Sequence, residues 1–260
     1  MLYLLSPAKT LDYQTPVPLA LRRKATEPLF TDRAALLIDR LRELEPADVA
    51  ALMDLSQELA ALNVARYGLW SPEATERNSR PAAWAFDGDV YDGLSARTLK
   101  TTDWNWAQQH LVILSGLYGA LRPLDRLQPY RLEMGTRLAT PQAKDLYGYW
   151  GEAIAAHLNE RLQSDKAPVV VNLASQEYFG AVDRRRLQAR VIDCVFEDWK
   201  NGEYKIISFF AKRARGMLAR WAIRERVSGV RKLQHFAEDG YAYDAAVSAP
   251  DRLVFRRRPA

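Results

Sequence analysis

The sequence predicts a mixed α/β (α+β) protein: a central mixed sheet with helices around it, formed as one domain over residues 1–260. Three observations predict it. Apolar runs of strand length (Leu2 to Leu5, Leu111 to Leu114, Val169 to Leu173) alternate with segments of helical spacing. Asn201-Gly202 sits between two strand-like runs, 191–199 and 203–210, and supplies the two positive φ angles of a type I′ hairpin turn. The 260 residues, 48% hydrophobic and 27% charged, hold enough apolar material for one sizeable core.

The first strand, 2–5, ends in a polar loop, Ser6-Pro7-Ala8-Lys9-Thr10. A connection containing Pro16, Pro18 and Pro28 then leads to a helical subregion at about 31–70. There Asp32 can cap a helix through Leu36, Leu37, Arg40 and Leu44. Pro46 fits the first position of a second helix, covering Val49, Leu52 and Met53. Ser56 can cap a third, in which Leu59, Leu62, Asn63, Arg66 and Tyr67 fall three or four apart. The run Ala82 to Phe86 stops at a turn signal, Asp87-Gly88-Asp89. Leu146, Trp150, Ile154, Leu158 and Leu162 mark one amphipathic helix. After the hairpin, 233–243 and 252–257 read as closing strands.

Several function classes lose support at once. The lone Cys194 excludes an intramolecular disulfide, and its strand puts it beside Ile192 and Phe196, so a buried inert thiol is expected. The opening residues lack the basic start and small-residue cleavage site of a signal peptide. The longest apolar stretch, Leu111 to Leu121, is broken by Ser115, Gly116 and Gly119, too short for a membrane span. A cytoplasmic protein without membrane association is expected. His110, His157 and His235 stand apart, with no Cys pair and no acidic cluster at ligand spacing, so neither a metal nor a cofactor is expected.

The charge is uneven. Residues 205–232 hold nine Lys and Arg against one acid, Glu225, a net +8 where the whole chain carries +5. On a helix, Phe210, Ala214, Met217, Leu218 and Trp221 form an apolar face flanked by Arg213, Arg220 and Arg224, with Lys212, Arg215 and Arg226 on the other side. A solvated surface helix is one reading. The scarcity of acids leaves few i,i+4 partners, however, and unneutralised Arg binds phosphate through its planar fork.

A second feature runs from Ser115-Gly116-Leu117-Tyr118-Gly119 through Arg122 and Asp125 to Arg131, Glu133 and Gly135. It follows a buried strand, where ligands are usually met in sheet proteins. A similar strand end occurs at Asn172, Ser175 and Glu177. If these strands run parallel to the first, Lys9, Arg122, Arg131, Asn172, Ser175 and Glu177 line one cleft, with Asp125 and Glu133 beside them. The alternative is a structural loop whose Arg and Asp pair internally.

These segments resemble the peroxide stress protein YaaA family. The likeness runs through Leu5-Ser6-Pro7-Ala8-Lys9-Thr10-Leu11-Asp12-Tyr13, Phe86 to Leu94, Gln108 to Leu111, Leu114 to Gly135, Lys144 to Tyr147 with Trp150-Gly151, Asn172 to Ser175, and Ile206 to Gly216. The resemblance implies a bacterial cytoplasmic protein of the peroxide response, a mixed α/β fold, a basic cleft, and duplex DNA binding aided by a helix–hairpin–helix element. That element would fall at 45–68. Its usual Gly is absent, since the connection here is Asp54-Leu55-Ser56-Gln57-Glu58. No catalytic residue is implied.

The leading expectation is therefore binding of duplex or structured DNA through backbone phosphates, using Lys9, Arg122, Arg131, Lys212, Arg213, Arg215, Arg220 and Arg224. The rival is an enzyme whose polar cleft takes a small phosphorylated or nucleotide-like anion, with Asp125, Glu133, Asn172, Ser175 and Glu177 as its candidates. A scaffold docking partners through 31–70 ranks third.

Overall fold

The computed structural model describes residues 1–258. Its centre is an eight-stranded sheet. In chain order the strands are β1 (Leu2–Leu5), β2 (Leu111–Ser115), β3 (Gly119–Leu121), β4 (Val169–Leu173), β5 (Arg190–Lys200), β6 (Glu203–Lys205), β7 (Ala242–Tyr243) and β8 (Arg252–Arg257). Their spatial order is β7-β8-β5-β4-β1-β2-β3, with β6 paired to β5. The run from β8 to β2 is parallel throughout, and β3, β6 and β7 are antiparallel additions. Parallel strands are covered on both faces, which is why β1 and β2 are apolar without alternation and buried at every position.

The labelled helices are α1 (Thr31–Arg42), α2 (Pro46–Met53), α3 (Gln57–Leu69), α4 (Asp89–Leu94), α5 (Thr101–His110), α6 (Ala153–Leu162) and α7 (Ser208–Arg224). Pro46 opens α2 as its spacing suggests, and the Ser56 hydroxyl accepts from Leu59 N at 3.3 Å to cap α3. Between them Asp54 takes the left-handed conformation (φ 52°), so three residues suffice to join the two helices. Asp32, by contrast, lies in the first turn of α1. The cap position is Phe30, and the helix stops before Leu44.

Three other elements differ from expectation. The 146–162 helix is two pieces, Leu146–Trp150 and α6, parted at Gly151 with φ 48°. The Asn201-Gly202 turn forms with φ 57° and 88°, yet β6 ends at Lys205 because Ser208 already starts α7. Asp239-Gly240 (φ 52° and 78°) makes a turn inside 233–243, confining strand to Ala242–Tyr243.

Helix α7 buries a face of small residues, Ala211, Ala214, Gly216, Ala219 and Ala222, with Leu218 and Ile223. Phe210 is instead 37% exposed and Phe209 52%. On another side, α7 approaches α4 closely. A Cβ on Gly216 would stand 1.8 Å from Val90 O, and one on Gly93 2.0 Å from Arg213 O. Two backbones meet directly, so bulky side chains are excluded from the seam.

Candidate functional site

Because β1, β2 and β4 are parallel, the loops that follow them emerge on one side of the sheet. Ser175 N donates to Ser6 Oγ at 2.9 Å, and the Tyr91 hydroxyl donates to Ser6 O at 3.1 Å. At the end of β2 the Ser115 and Tyr130 hydroxyls are 2.6 Å apart. Glu133 forms the rim, bridging Lys9 Nζ at 2.7 Å and Arg131 at 3.1 Å. Gly135 N donates to Glu177 Oε1 at 2.9 Å. Lys9, Arg131, Glu133, Ser175 and Glu177 thus gather as the strand directions require. Asn172 is committed elsewhere: its Nδ2 donates to Asp193 and its Oδ1 accepts from Ala174 N. Burial raises the Tyr130 and Tyr178 hydroxyls well above the usual phenol range, so both stay protonated.

Arg66 and Tyr67 of α3 also reach this region, although their spacing alone reads as a helix face. The Tyr67 hydroxyl donates to Arg131 O at 2.5 Å. Burial lowers the Arg66 pKa, with the neighbouring Arg131 charge contributing in the same direction.

Arg122 and Asp125 do not join the cleft. β3 runs antiparallel to β2 and carries the chain back toward the other end of the sheet, beside the C-terminal end of α5. There Asp125 is 1% exposed, accepting from Thr26 Oγ1 (2.6 Å), Arg122 N (2.7 Å) and Arg122 Nε (3.0 Å). Burial raises its pKa, while the Thr26 and Arg122 contacts oppose the rise. The buried carboxylate is an internal clamp for the 122–125 turn.

Beside it lie His157 and Arg161. Burial first, then the Arg161 and Arg122 charges, hold His157 down to about 4, and burial lowers Arg161 to about 10. The fold thus favours neutral imidazole. Its contribution to stability is full above the unfolded pKa near 6.5 and is lost as pH falls toward 4. With partial exposure discounted, that loss is about 2 kcal/mol. A His157→Gln variant should accordingly show a shallower fall in unfolding free energy from pH 6.5 to 4 by urea titration. An unchanged slope would mean His157 is solvated.

On α7 the acids missing from its own sequence come from other elements. Lys212 lies 3.6 Å from Asp89, Arg213 4.0 Å from Asp239, and Arg226, just beyond the helix, 2.8 Å from Asp103. Arg215 turns inward next to Cys194, where burial lowers its pKa, so it does not share the outer surface. Cys194 is buried and its thiol pKa is raised, first by burial. Arg220 donates to Leu94 O (3.3 Å) and Ser95 O (3.0 Å). Arg224 is exposed, with no ion pair among the described residues. Arg213, Arg220 and Arg224 line a groove of about 430 Å³ with Met217 and Trp221, and Asp92 and Glu238 line it too.

Among the described residues no cluster of His, Cys, Asp and Glu could hold a metal ion, and no helix is long and apolar enough to cross a membrane. Fold and surface define a mixed α/β protein with charged strand-end loops and a basic helix laid on its sheet. The family described as peroxide stress protein YaaA matches residues 1–247, and the chain belongs to that family. A UPF0246 protein of Leptothrix cholodnii is 66% identical, and one of Bordetella pertussis 59% identical, each over the full length of both chains.

Proposed function

We propose that the chain acts in the peroxide stress response by binding duplex DNA, largely through backbone phosphates. Family membership supports the stress role. The DNA reading is carried by the α7 groove, where Arg213 has only a 4.0 Å partner and Arg224 none among the described residues. Guanidinium groups left this free bind phosphate bidentately. Lys9 and Arg131 add less, because both share Glu133. The enzyme reading loses its strongest acid, since Asp125 stands outside the strand-end cleft.

The test is duplex binding by fluorescence anisotropy across a salt series. Wild type should lose affinity steeply between about 50 and 200 mM salt, through counterion release. Arg213→Ala/Arg224→Ala should flatten the log–log slope by about two units, one per phosphate contact. Binding that is flat in salt, or indifferent to the substitutions, would remove this function.

A further inference from the structure

The groove beside α7 does not end at the arginines. Asp92, Ser95 and Thr98 line it and also line a second pocket of about 300 Å³, walled by Trp84, Phe86 and Tyr91. The two spaces therefore adjoin along these three residues, as neighbouring halves of a trough on the flank of the α4–α7 seam, richer in acid at one end and in arginine at the other. At the aromatic end stand two carboxylates, Asp87 and Asp92, neither in an ion pair among the described residues. The one cation there, Arg97, is held by Asp12. The far end carries Arg213, Arg220 and Arg224 against one further carboxylate, Glu238. The junction is fixed: Ser95 sits at φ 49°, and its carbonyl, with that of Leu94, accepts from Arg220.

We propose that this trough binds a nucleotide, with its base in the aromatic pocket and its phosphate on the arginines. A flat ring suits a floor of Trp84, Phe86 and Tyr91, each of which shows only a small part of its surface, and a dianionic phosphate suits arginines that outnumber Glu238 three to one. The free carboxylates select the base. They accept only, so they favour a Watson–Crick edge rich in N–H donors. Guanine offers two such donors side by side, N1–H and N2–H, which match the two oxygens of one carboxylate. Thymine offers a single N3–H between two carbonyls, which a carboxylate repels. A guanine nucleotide is the best match, followed by the amino-bearing adenine and cytosine. It reaches the trough either free or extruded from a DNA strand; the second source rests on the duplex binding proposed above, and the first does not.

Calorimetric titration with GMP and TMP separates these cases, alongside a duplex carrying 2-aminopurine next to a guanine, whose extrusion unstacks the probe and raises its fluorescence. GMP should bind about tenfold tighter than TMP, the discrimination expected of one bidentate base contact. Asp87→Asn/Asp92→Asn should remove that preference, while Arg224→Ala should weaken both nucleotides alike; thermal melts confirm that each variant is folded. A 2-aminopurine signal that rises on binding and is lost in the double Asn variant assigns the nucleotide to a DNA strand. GMP binding without duplex affinity supports a free nucleotide and ends the duplex reading alone. Overturning the proposal takes equal or absent GMP and TMP binding with no 2-aminopurine response, or a guanine preference that survives the double Asn variant. Steep salt-dependent duplex binding beside either result would leave the DNA function standing without the nucleotide site.

Discussion

Gly216→Ala is expected to destabilise the fold by about 3 kcal/mol, the upper part of the range for overpacking a close-packed interior. In a chain of this size that lowers the melting midpoint by about 6 to 12 °C. The sign is informative, because Ala in place of Gly in a helix interior otherwise adds up to about 1 kcal/mol of stability. Here the new methyl would stand 1.8 Å from Val90 O and 2.7 Å from Leu94 N, both backbone atoms of α4. Neither can rotate away as a side chain would. The helices must part, which opens the α4–α7 seam to water and widens the trough. Gly229 is the control: a Cβ there meets nothing within 4 Å, so Gly229→Ala should stay within about 0.5 kcal/mol of wild type. A Gly216→Ala midpoint at or above that of wild type would show that α4 and α7 are not in backbone contact.

That seam also marks where sequence reading stops. Local signals did well: the strands at 2–5 and 169–173, the Asn201-Gly202 turn, the Pro46 start and the Ser56 cap are all set by nearest neighbours. So was the gathering of Lys9, Arg131, Glu133, Ser175 and Glu177, which needs only that three strands be parallel. Arg122 and Asp125 lie away from the cleft because β3 reverses at the turn Gly116-Leu117-Tyr118, which periodicity does not signal. Spacing alone puts Phe210 on the apolar face of α7, because a pattern weighs size and not burial. The helix instead buries small residues, and both phenylalanines stay partly exposed. The trough was invisible for a related reason: residues 84–98 and 213–224 meet only through tertiary packing.

Arg257→Met is expected to cost about 3 to 5 kcal/mol, the range for breaking a buried ion pair from one side. Asp198 is 1% exposed on β5; its Oδ1 takes Arg257 Nε at 2.6 Å, and its Oδ2 takes the Tyr241 hydroxyl at 2.7 Å. The guanidinium also lies over the rings of Tyr241 (4.5 Å) and Phe210 (4.7 Å), so a long apolar side chain replaces packing but not charge. Removing the cation leaves a buried carboxylate with one neutral donor. The double variant Asp198→Asn/Arg257→Met should therefore be more stable than Arg257→Met alone, measured by urea unfolding, since it discards the stranded charge. A single-variant cost below about 1 kcal/mol would place the pair among exposed, screened ion pairs. The consequence reaches the α7 groove. Asp239 is shared between Arg257 at 2.7 Å and Arg213 at 4.0 Å. Without Arg257 it is free to close on Arg213, so Arg257→Met should also weaken duplex binding and flatten its salt slope, though the substituted residue lies outside the α7 groove.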